Sequence, residues 1–513
     1  MHGPDVVVYG ATSGGVCAAV AAAEAGATVL LLEPGRHVGG MTSGGLGYTD
    51  VGDARVVQGM AGRLREAIAA HYGVPVGHYA GPEPHVAEAI YLRWLEEAGV
   101  EVRFGSALER VETADARITA LVLAGGERIT GGVFVDAGYE GDVMAGAGVS
   151  YAVGREDRSL YGERYAGRQE LVPGRHTVPA WISPFAGDPD GFEGGAILSQ
   201  IHDRDLVDAG IGDRGVMSYG YRVCLTQAAD RVPFTPSESY DDAYWELGRR
   251  IFERWRRDGL EVRAGQLLGL EQNLPNGKCD GNSIGPFSLS VLDGSAWAYP
   301  DADAAGRERI RLHHLNHARD FLYFLANDPA VPSQVRAEMS RWGLPADEFA
   351  DTGHLPHQLY VREARRMLGE YVLTEHDLTG NPPRRQHDVV AMGSYHIDVR
   401  EVQRVWRWVH EHPRPIGMVF TEGYLSVPVQ PYPIPYRSLV PRYEECVNLI
   451  VPVCVSASHV AFSSVRMEVQ YQMLGHAAGV AAVEAARSGR PVQSVDVASV
   501  QDTLRAAGQV LAL

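Results

Sequence analysis

The apolar and polar positions fall into an ordered pattern from the start of the chain. Val6 to Tyr9 is a short continuous apolar run, as expected of a strand buried on both faces. It ends in Gly10-Ala11-Thr12-Ser13-Gly14-Gly15, and the alanine-rich run from Val16 to Ala25 predicts a helix closed by Gly26. Thr28 to Leu32 predicts a second buried strand that stops at Glu33. Periodic apolar positions predict helices over Met60 to Tyr72 and Pro84 to Ala98, the latter with proline in its first turn and Gly99 past its end. Val100 to Phe104 reads as a third strand. Ala107 to Glu112, Arg117 to Leu123 and Glu127 to Thr130 read as a short meander, and Val133 to Val135 returns to the sheet before Asp136-Ala137-Gly138.

From Tyr139 to about Pro413 aromatics, prolines and arginines interrupt the periodicity. The clearest predicted helices there are Ala243 to Asp258, Ala304 to Ala326 and Leu359 to Glu375. A further helix-forming run, Val399 to His410, follows Gly393-Ser394-Tyr395-His396. Near the C-terminus, Asn448 to Val455 predicts a strand, a polar loop runs to Ser464, and a long helix extends from about Arg466 to Arg487. Its small face, Gly475, Ala477, Ala478, Gly479, Ala481 and Ala482, suits close packing under a cofactor. The expected fold is α/β: a Rossmann domain with a β-meander, formed by residues 1–155 and 415–513, with an inserted α+β substrate domain over 156–414.

The first turn carries the chemistry of a dinucleotide site. Gly10 permits the tight turn, Gly15 lets helix and strand approach, and the helix N-terminus directs free N–H groups at a pyrophosphate. Glu33, about twenty residues on, is placed to accept hydrogen bonds from a ribose. Thr12 stands where the fingerprint has its middle glycine, so spacing and context carry the assignment more than the glycines do. Pro34-Gly35-Arg36-His37-Val38-Gly39-Gly40-Met41 resembles the second pyrophosphate-contacting turn of glutathione-reductase-like FAD proteins. The expected FAD contacts are thus Gly10, Thr12, Ser13, Gly14, Gly15, Glu33, Pro34, Gly35, Arg36, Gly39, Gly40, Met41 and Thr42. Ala107, Asp136, Ala137, Gly138, Arg466 and Met467 complete them. The glycine-rich stretch from Thr42 to Asp50 suits a backbone lying against a flat ring. No second fingerprint with its terminal acid follows, which argues against a separate NAD(P)H domain.

These segments, with Val135 to Glu156, Asp351 to Val372, Tyr432 to Pro441 and Val451 to Ala482, resemble a large bacterial family of FAD-dependent oxidoreductases, some of whose members carry a xanthan lyase label. The resemblance covers nearly the whole chain. It implies FAD in a glutathione-reductase-like fold with a discontinuous cofactor domain, and says little about substrate; the cofactor is expected to be noncovalent, with His37 near the second turn leaving attachment open. The family pattern has asparagine in place of His396 and histidine in place of Arg400, so the substrate side departs from it.

The formal net charge of −18 disfavours nucleic acid and anionic membrane as partners. Five dispersed cysteines without a C-x-x-C pair point to a reducing compartment and away from a zinc site, so no metal is expected. The first residues enter a strand at once and no apolar run is long enough to span a bilayer, so a cytoplasmic location is expected. Lys278 is the only lysine, which leaves Schiff-base chemistry a single candidate.

A flavin enzyme that takes hydride from a C–H bond must also remove a proton, and histidine titrates nearest neutrality. His396 and His459 are the candidate bases, with His396 expected at a helix entrance. Arg362 is a candidate for holding an anionic or polyhydroxylated substrate, the alternative being an ion pair with Glu363 or Glu370. The favoured class is a dehydrogenase or oxidase acting on a small alcohol, polyol or sugar-like molecule. A desaturase or ene-reductase with Tyr395 as proton donor is the alternative, and a non-redox polysaccharide lyase or binding protein the remote one. The electron acceptor stays open, with dioxygen among the candidates, and so does a homo-oligomeric state.

Overall fold

The structure is a computed structural model that describes residues 3–79, 81–171, 178–380, 384–411 and 413–513. The chain begins β1 (Val6–Tyr9), α1 (Ser13–Glu24), β2 (Val29–Leu32), α2 (Met60–Tyr72), α3 (Pro84–Glu97) and β3 (Glu101–Arg103). The meander follows as β4 (Leu108–Ala114), β5 (Arg117–Leu123) and β6 (Arg128–Ile129), then β7 (Val133–Asp136) and α4 (Asp142–Gly146). Next come β8 (Tyr151–Val153), α5 (Arg158–Tyr161), β9 (Val223–Thr226), α6 (Glu246–Arg257), β10 (Lys278–Gly281), α7 (Ala304–Asn327) and α8 (Ser333–Met339). They lead to β11 (Arg365–Met367), α9 (Glu375–Thr379), β12 (Val389–Gly393), β13 (Ile397–Val399), β14 (Gln403–Val409), β15 (Ile416–Glu422), β16 (Leu425–Val427) and β17 (Tyr432–Pro435). The chain closes with β18 (Leu449–Ile450), α10 (His459–Val465), α11 (Glu468–Ser488) and α12 (Val497–Ala506).

One parallel sheet in the order β18-β7-β1-β2-β3 organises the molecule, making it a mixed α/β protein with a Rossmann-type core. Val6, Val7 and Val8 of β1 are fully buried, each contributing about 1.5–3 kcal/mol by removal from water. The face of the sheet that carries α1 is closed by α11, and small residues make that contact possible. A Cβ on Gly475 would lie 2.0 Å from the Gly14 carbonyl oxygen, and one on Gly479 2.3 Å from that of Ala18. The small face of the C-terminal helix therefore packs on α1 backbone, and the cofactor is not needed to account for it.

Several predicted elements are corrected. Val399 to His410 is strand, with β13 pairing to β16 and β14 to β15. Its valines recur at helical spacing, but β-branched and aromatic residues facing the apolar run Ile416–Glu422 favour pairing. Leu359 to Glu375 is also not helical, apart from its last residue, where α9 begins. Its charged residues imitate an exposed helix face, whereas Arg362, Glu363, Arg365 and Arg366 are all buried. The long helix expected from about Arg466 to Arg487 is α11, whereas the polar loop expected before it forms the separate short helix α10, capped by Ser458, which accepts from the Ala461 amide. The strand expected over Asn448 to Val455 is reduced to β18, since Val451 turns to bond the Leu439 carbonyl, 2.7 Å away.

One cluster of acids, with Glu83 and Glu348 buried and Asp347 exposed, surrounds a lysine. Glu83, Asp347 and Glu348 lie 2.6 to 2.7 Å from the ammonium of Lys278, and His85 contacts Glu348. The cation that this cluster holds is the chain's own lysine.

Candidate active site

The turn after β1 is fixed from both sides. Gly10 has φ +91°, and a Cβ there would lie 2.7 Å from the Gly138 amide. Thr12 caps α1: its Oγ1 accepts from the Gly15 amide at 3.1 Å and donates to the Ala137 carbonyl at 2.8 Å. Its backbone oxygen takes the Val16 amide. Thr12 thus replaces the middle glycine by serving as a cap, and the amides of Ser13 and Gly14 have no partner within the helix. Glu33 Oε2 accepts from the Ala11 amide at 2.7 Å and Oε1 from Gly35 at 2.6 Å, leaving lone pairs for hydroxyl donors. Pro34, Gly35 and Arg36 are exposed beside it, as is Ala107.

The second glycine turn is bonded to the first through the Gly39 amide and the Ala11 carbonyl, 2.7 Å apart. Asp136 at the end of β7 is buried, and accepts from the amides of Gly138 and Met144. Burial raises its carboxyl to about 7, so its part here is to shape the turn. The stretch from Ser43 to Gly47 comes close to protein backbone and side chains. A Cβ on Gly45 would lie 2.1 Å from the Arg222 carbonyl oxygen, and one on Gly44 2.4 Å from Gln358 Cβ. Chain packing accounts for these glycines.

At the head of α11 lies a buried carboxylate with no cation beside it. Glu468 accepts from Ser13 Oγ at 2.5 Å, Thr42 Oγ1 at 3.2 Å and Tyr139 Oη at 2.7 Å, and Tyr139 in turn takes the Met41 amide. Burial raises its carboxyl to about 7 against those three donors. In the same turn the Gln470 side chain is fully buried with neither amide atom hydrogen-bonded. Such orphans cost about 1–3 kcal/mol each unless a ligand supplies partners. Together with the free N–H groups of α1 and the Glu33 carboxylate, this donor and acceptor set fits a dinucleotide such as FAD.

A cavity of about 230 Å³ has Arg466 in its wall. Strand alternation builds one wall of it: His396, Asp398 and Arg400 line the cavity, while Ile397 and Val399 between them are buried in the core. Tyr360 and Arg362 line it in the same way, with Leu359 and Val361 turned to the core. Asp50, Arg222, Tyr395, Tyr424 and Arg466 complete the charged and phenolic lining. His396 Nε2 is 3.8 Å from Asp398 Oδ1. Burial opposes ionisation of Asp398, but His396, Arg466 and Arg400 bring its carboxyl down to about 2. Burial raises the Tyr395 phenol well above its usual range, helped by Asp50 and Asp398. Burial also raises Asp50, against the pull of Arg222.

Of the four candidate catalytic residues, the cavity brings together His396, Tyr395 and Arg362. His459 is elsewhere, buried with Nδ1 at 2.8 Å from Glu363, a carboxylate also held by Arg366. Glu363 is therefore not the partner of Arg362, and Glu370 accepts from the Tyr443 amide. Arg466, expected on the cofactor, directs its guanidinium at Tyr360 Oη and at Asp398, while Met467 is the N-cap residue of α11. Asp50, Arg222, Asp398 and Glu468 were missed by the sequence reading. The polar-apolar alternation from His396 to Arg400 was the available signal for Asp398 and was masked by the helical spacing of the valines that follow.

A family model described as FAD dependent oxidoreductase matches residues 5–504. No curated protein matches. Among solved structures, Thermovibrio ammonificans THI4 is similar at 20% identity over 30% of this chain and 66% of that one, with a TM-score of 0.24. L-proline dehydrogenase from P. horikoshii is similar at 16% identity over 30% of this chain and 58% of that one, with a TM-score of 0.24. For 3-ketosteroid-delta4-(5alpha)-dehydrogenase from Rhodococcus jostii RHA1 the identity is 19%, over 26% and 45%, with a TM-score of 0.19. The chain spans less than two thirds of the length of each, and these partial overlaps carry no argument about substrate.

Proposed function

The chain belongs to the FAD dependent oxidoreductase family, and from that premise we propose that it oxidises a small polar molecule, such as an alcohol, polyol or sugar-like metabolite, bound beside His396. Residues 1–155 and 415–513 would hold the cofactor and 156–414 supply most of the substrate side. The observation that carries this reading is the cavity lined by His396, Tyr395, Arg362 and Arg466, whose last member lies one residue before the N-cap of the cofactor-side helix α11.

Bound FAD supplies a two-electron acceptor for hydride. The protein's own part is to hold the substrate and take its proton. His396 is one-third exposed, so a proton gained by its imidazole can pass to solvent, and the ionised Asp398 beside Nε2 favours the positive charge that forms. Tyr395 stays protonated and donates a hydrogen bond into the cavity, while Arg362 and Arg466 orient oxygen atoms of the substrate. The Gly10 to Gly15 turn, Glu33 and the Gly39-Gly40 turn would hold the pyrophosphate and ribose. No helix among the described residues is long and apolar enough to cross a membrane.

The place of Tyr395 in the cavity wall also supports a second reading, a desaturase or ene-reductase in which Tyr395 supplies the proton. Anaerobic mixing with a panel of alcohols, polyols, sugars and enones, followed by air, separates the two. Bleaching of the flavin by an alcohol supports the first reading and return of colour in air identifies dioxygen as acceptor. Bleaching only by an external reductant, reversed by an enone, replaces the first reading with the second.

A further inference from the structure

The cavity described above contains one arginine with no ion-pair partner among the described residues. Four arginines line it. Arg222 is paired with Asp280, Nε to Oδ1 at 2.9 Å, Arg466 with Asp398 at 3.2 Å, and Arg400 lies 3.3 Å from Glu401. Arg362 is 95% removed from solvent, and none of the described acidic side chains lies within ion-pair distance of it. One Nη1 donates to the Ser218 carbonyl, and the guanidinium lies over the Tyr360 ring at 4.3 Å. Stacking fixes the plane of the fork and leaves its edge for a ligand.

We propose that the substrate of this cavity is a small carboxylate anion whose carboxylate pairs with the Arg362 guanidinium. The proposal rests on reading the cavity as the substrate site. A buried charge is costly unless paired, and a bidentate carboxylate is the partner whose geometry matches a planar guanidinium. The charge count selects the class further. Only one lining arginine lacks an acid within ion-pair distance, so a single negative charge matches it where a phosphate dianion does not. The volume, about 230 Å³, is below the roughly 300–1,000 Å³ of drug-sized sites and suits a short hydroxy acid better than a saccharide chain. Consistently, burial, with Arg400 and Arg466 beside it, draws Arg362 down to about 9, the mark of a cation awaiting a counter-ion.

The test uses the FAD-loaded protein, with flavin content measured first, so that failure of the cofactor reading appears as colourless protein before any ligand is added. Glycolate, lactate and gluconate are titrated by calorimetry against ethylene glycol, propane-1,2-diol and glycerol, with inorganic phosphate as a separate arm. At least one acid is expected to bind roughly 10- to 100-fold more tightly than its neutral counterpart. Arg362→Gln should abolish that preference at unchanged flavin content, and Arg362→Lys, which keeps charge but loses the fork, should restore part of it. The proposal is overturned if no acid binds, if the neutral counterparts bind as well, if phosphate binds more tightly than every acid, or if flavin-replete Arg362→Gln keeps the preference. Should Arg362→Gln lose its flavin, the wild-type comparison and Arg362→Lys decide the matter.

Discussion

Replacing Gly15 by alanine would put a Cβ 1.9 Å from the Gly10 carbonyl oxygen and 3.1 Å from Ala137 Cβ, where ordinary contact begins at 3.4 Å. About 1.5 Å must be recovered, and the surroundings have little to give. Gly10 is held by its amide on the Leu32 carbonyl at 2.8 Å, and Gly15 by its amide on Thr12 Oγ1. Overpacking of this kind costs about 1–3 kcal/mol. Without cofactor the first turn of α1 can slide away and relieve part of the strain. With cofactor the N–H groups of that turn must stay where the pyrophosphate is, so the strain falls on binding, weakening FAD by roughly 5- to 150-fold. Flavin per polypeptide after purification and fluorescence titration of the apoprotein measure it. Gly265→Ala, where an added Cβ meets nothing within 4 Å, is the control and should stay within about 0.5 kcal/mol of wild type. Wild-type FAD affinity and melting temperature in Gly15→Ala would refute the assignment of this turn to the cofactor.

Other perturbations test the remaining parts. His396→Gln should keep FAD yet slow flavin reduction by a true substrate roughly 10²- to 10⁴-fold in stopped flow, whereas His459→Gln, which loses its bond to Glu363, should cost about 1.5–3 kcal/mol of stability with reduction largely intact; the reverse pattern moves the base to His459. Glu468 titrates at about 7 in the folded apoprotein against 4.5 when unperturbed, so the folded state binds the extra proton, and the stability this gives is complete below pH 4.5 and lost as pH rises through about 7. Glu468→Gln should flatten that fall by on the order of 3 kcal/mol, and identical melting profiles from pH 4.5 to 8 would exclude the effect. Lys278→Met leaves Glu83 and Glu348 buried without their cation, and denaturant unfolding should record a loss of about 3–5 kcal/mol.

Much of the sheet could be read in the sequence because its strands are continuous apolar runs, which no amphipathic helix produces. Arg117 to Leu123 and Met60 to Tyr72 fall where the pattern put them. The site was legible only in part. Gly10, Gly15 and Glu33 belong to a local motif with fixed spacing, whereas Asp50, Arg222 and Asp398 meet in one cavity from distant segments and share no local pattern. His396 was singled out correctly as a cavity residue but for a wrong structural reason, since it precedes a strand and not a helix. Arg362 to Arg366 misled for a related cause. Charges at helical spacing are read as solvated, and nothing local reveals that each is buried in a private arrangement.

The contact between Gly14 and Gly475 sets a timetable for making the protein. The wall behind the first turn is supplied about 460 residues after the turn itself, and at roughly 5–20 residues per second a ribosome needs about half a minute to a minute and a half to reach it. Over that interval the alanine-rich face of α1 is left exposed on the nascent chain, and for the latter part of it so is the β7 edge that β18 will cover. Flavin capture therefore belongs to the end of synthesis, and the unfinished chain is the form most in need of a chaperone.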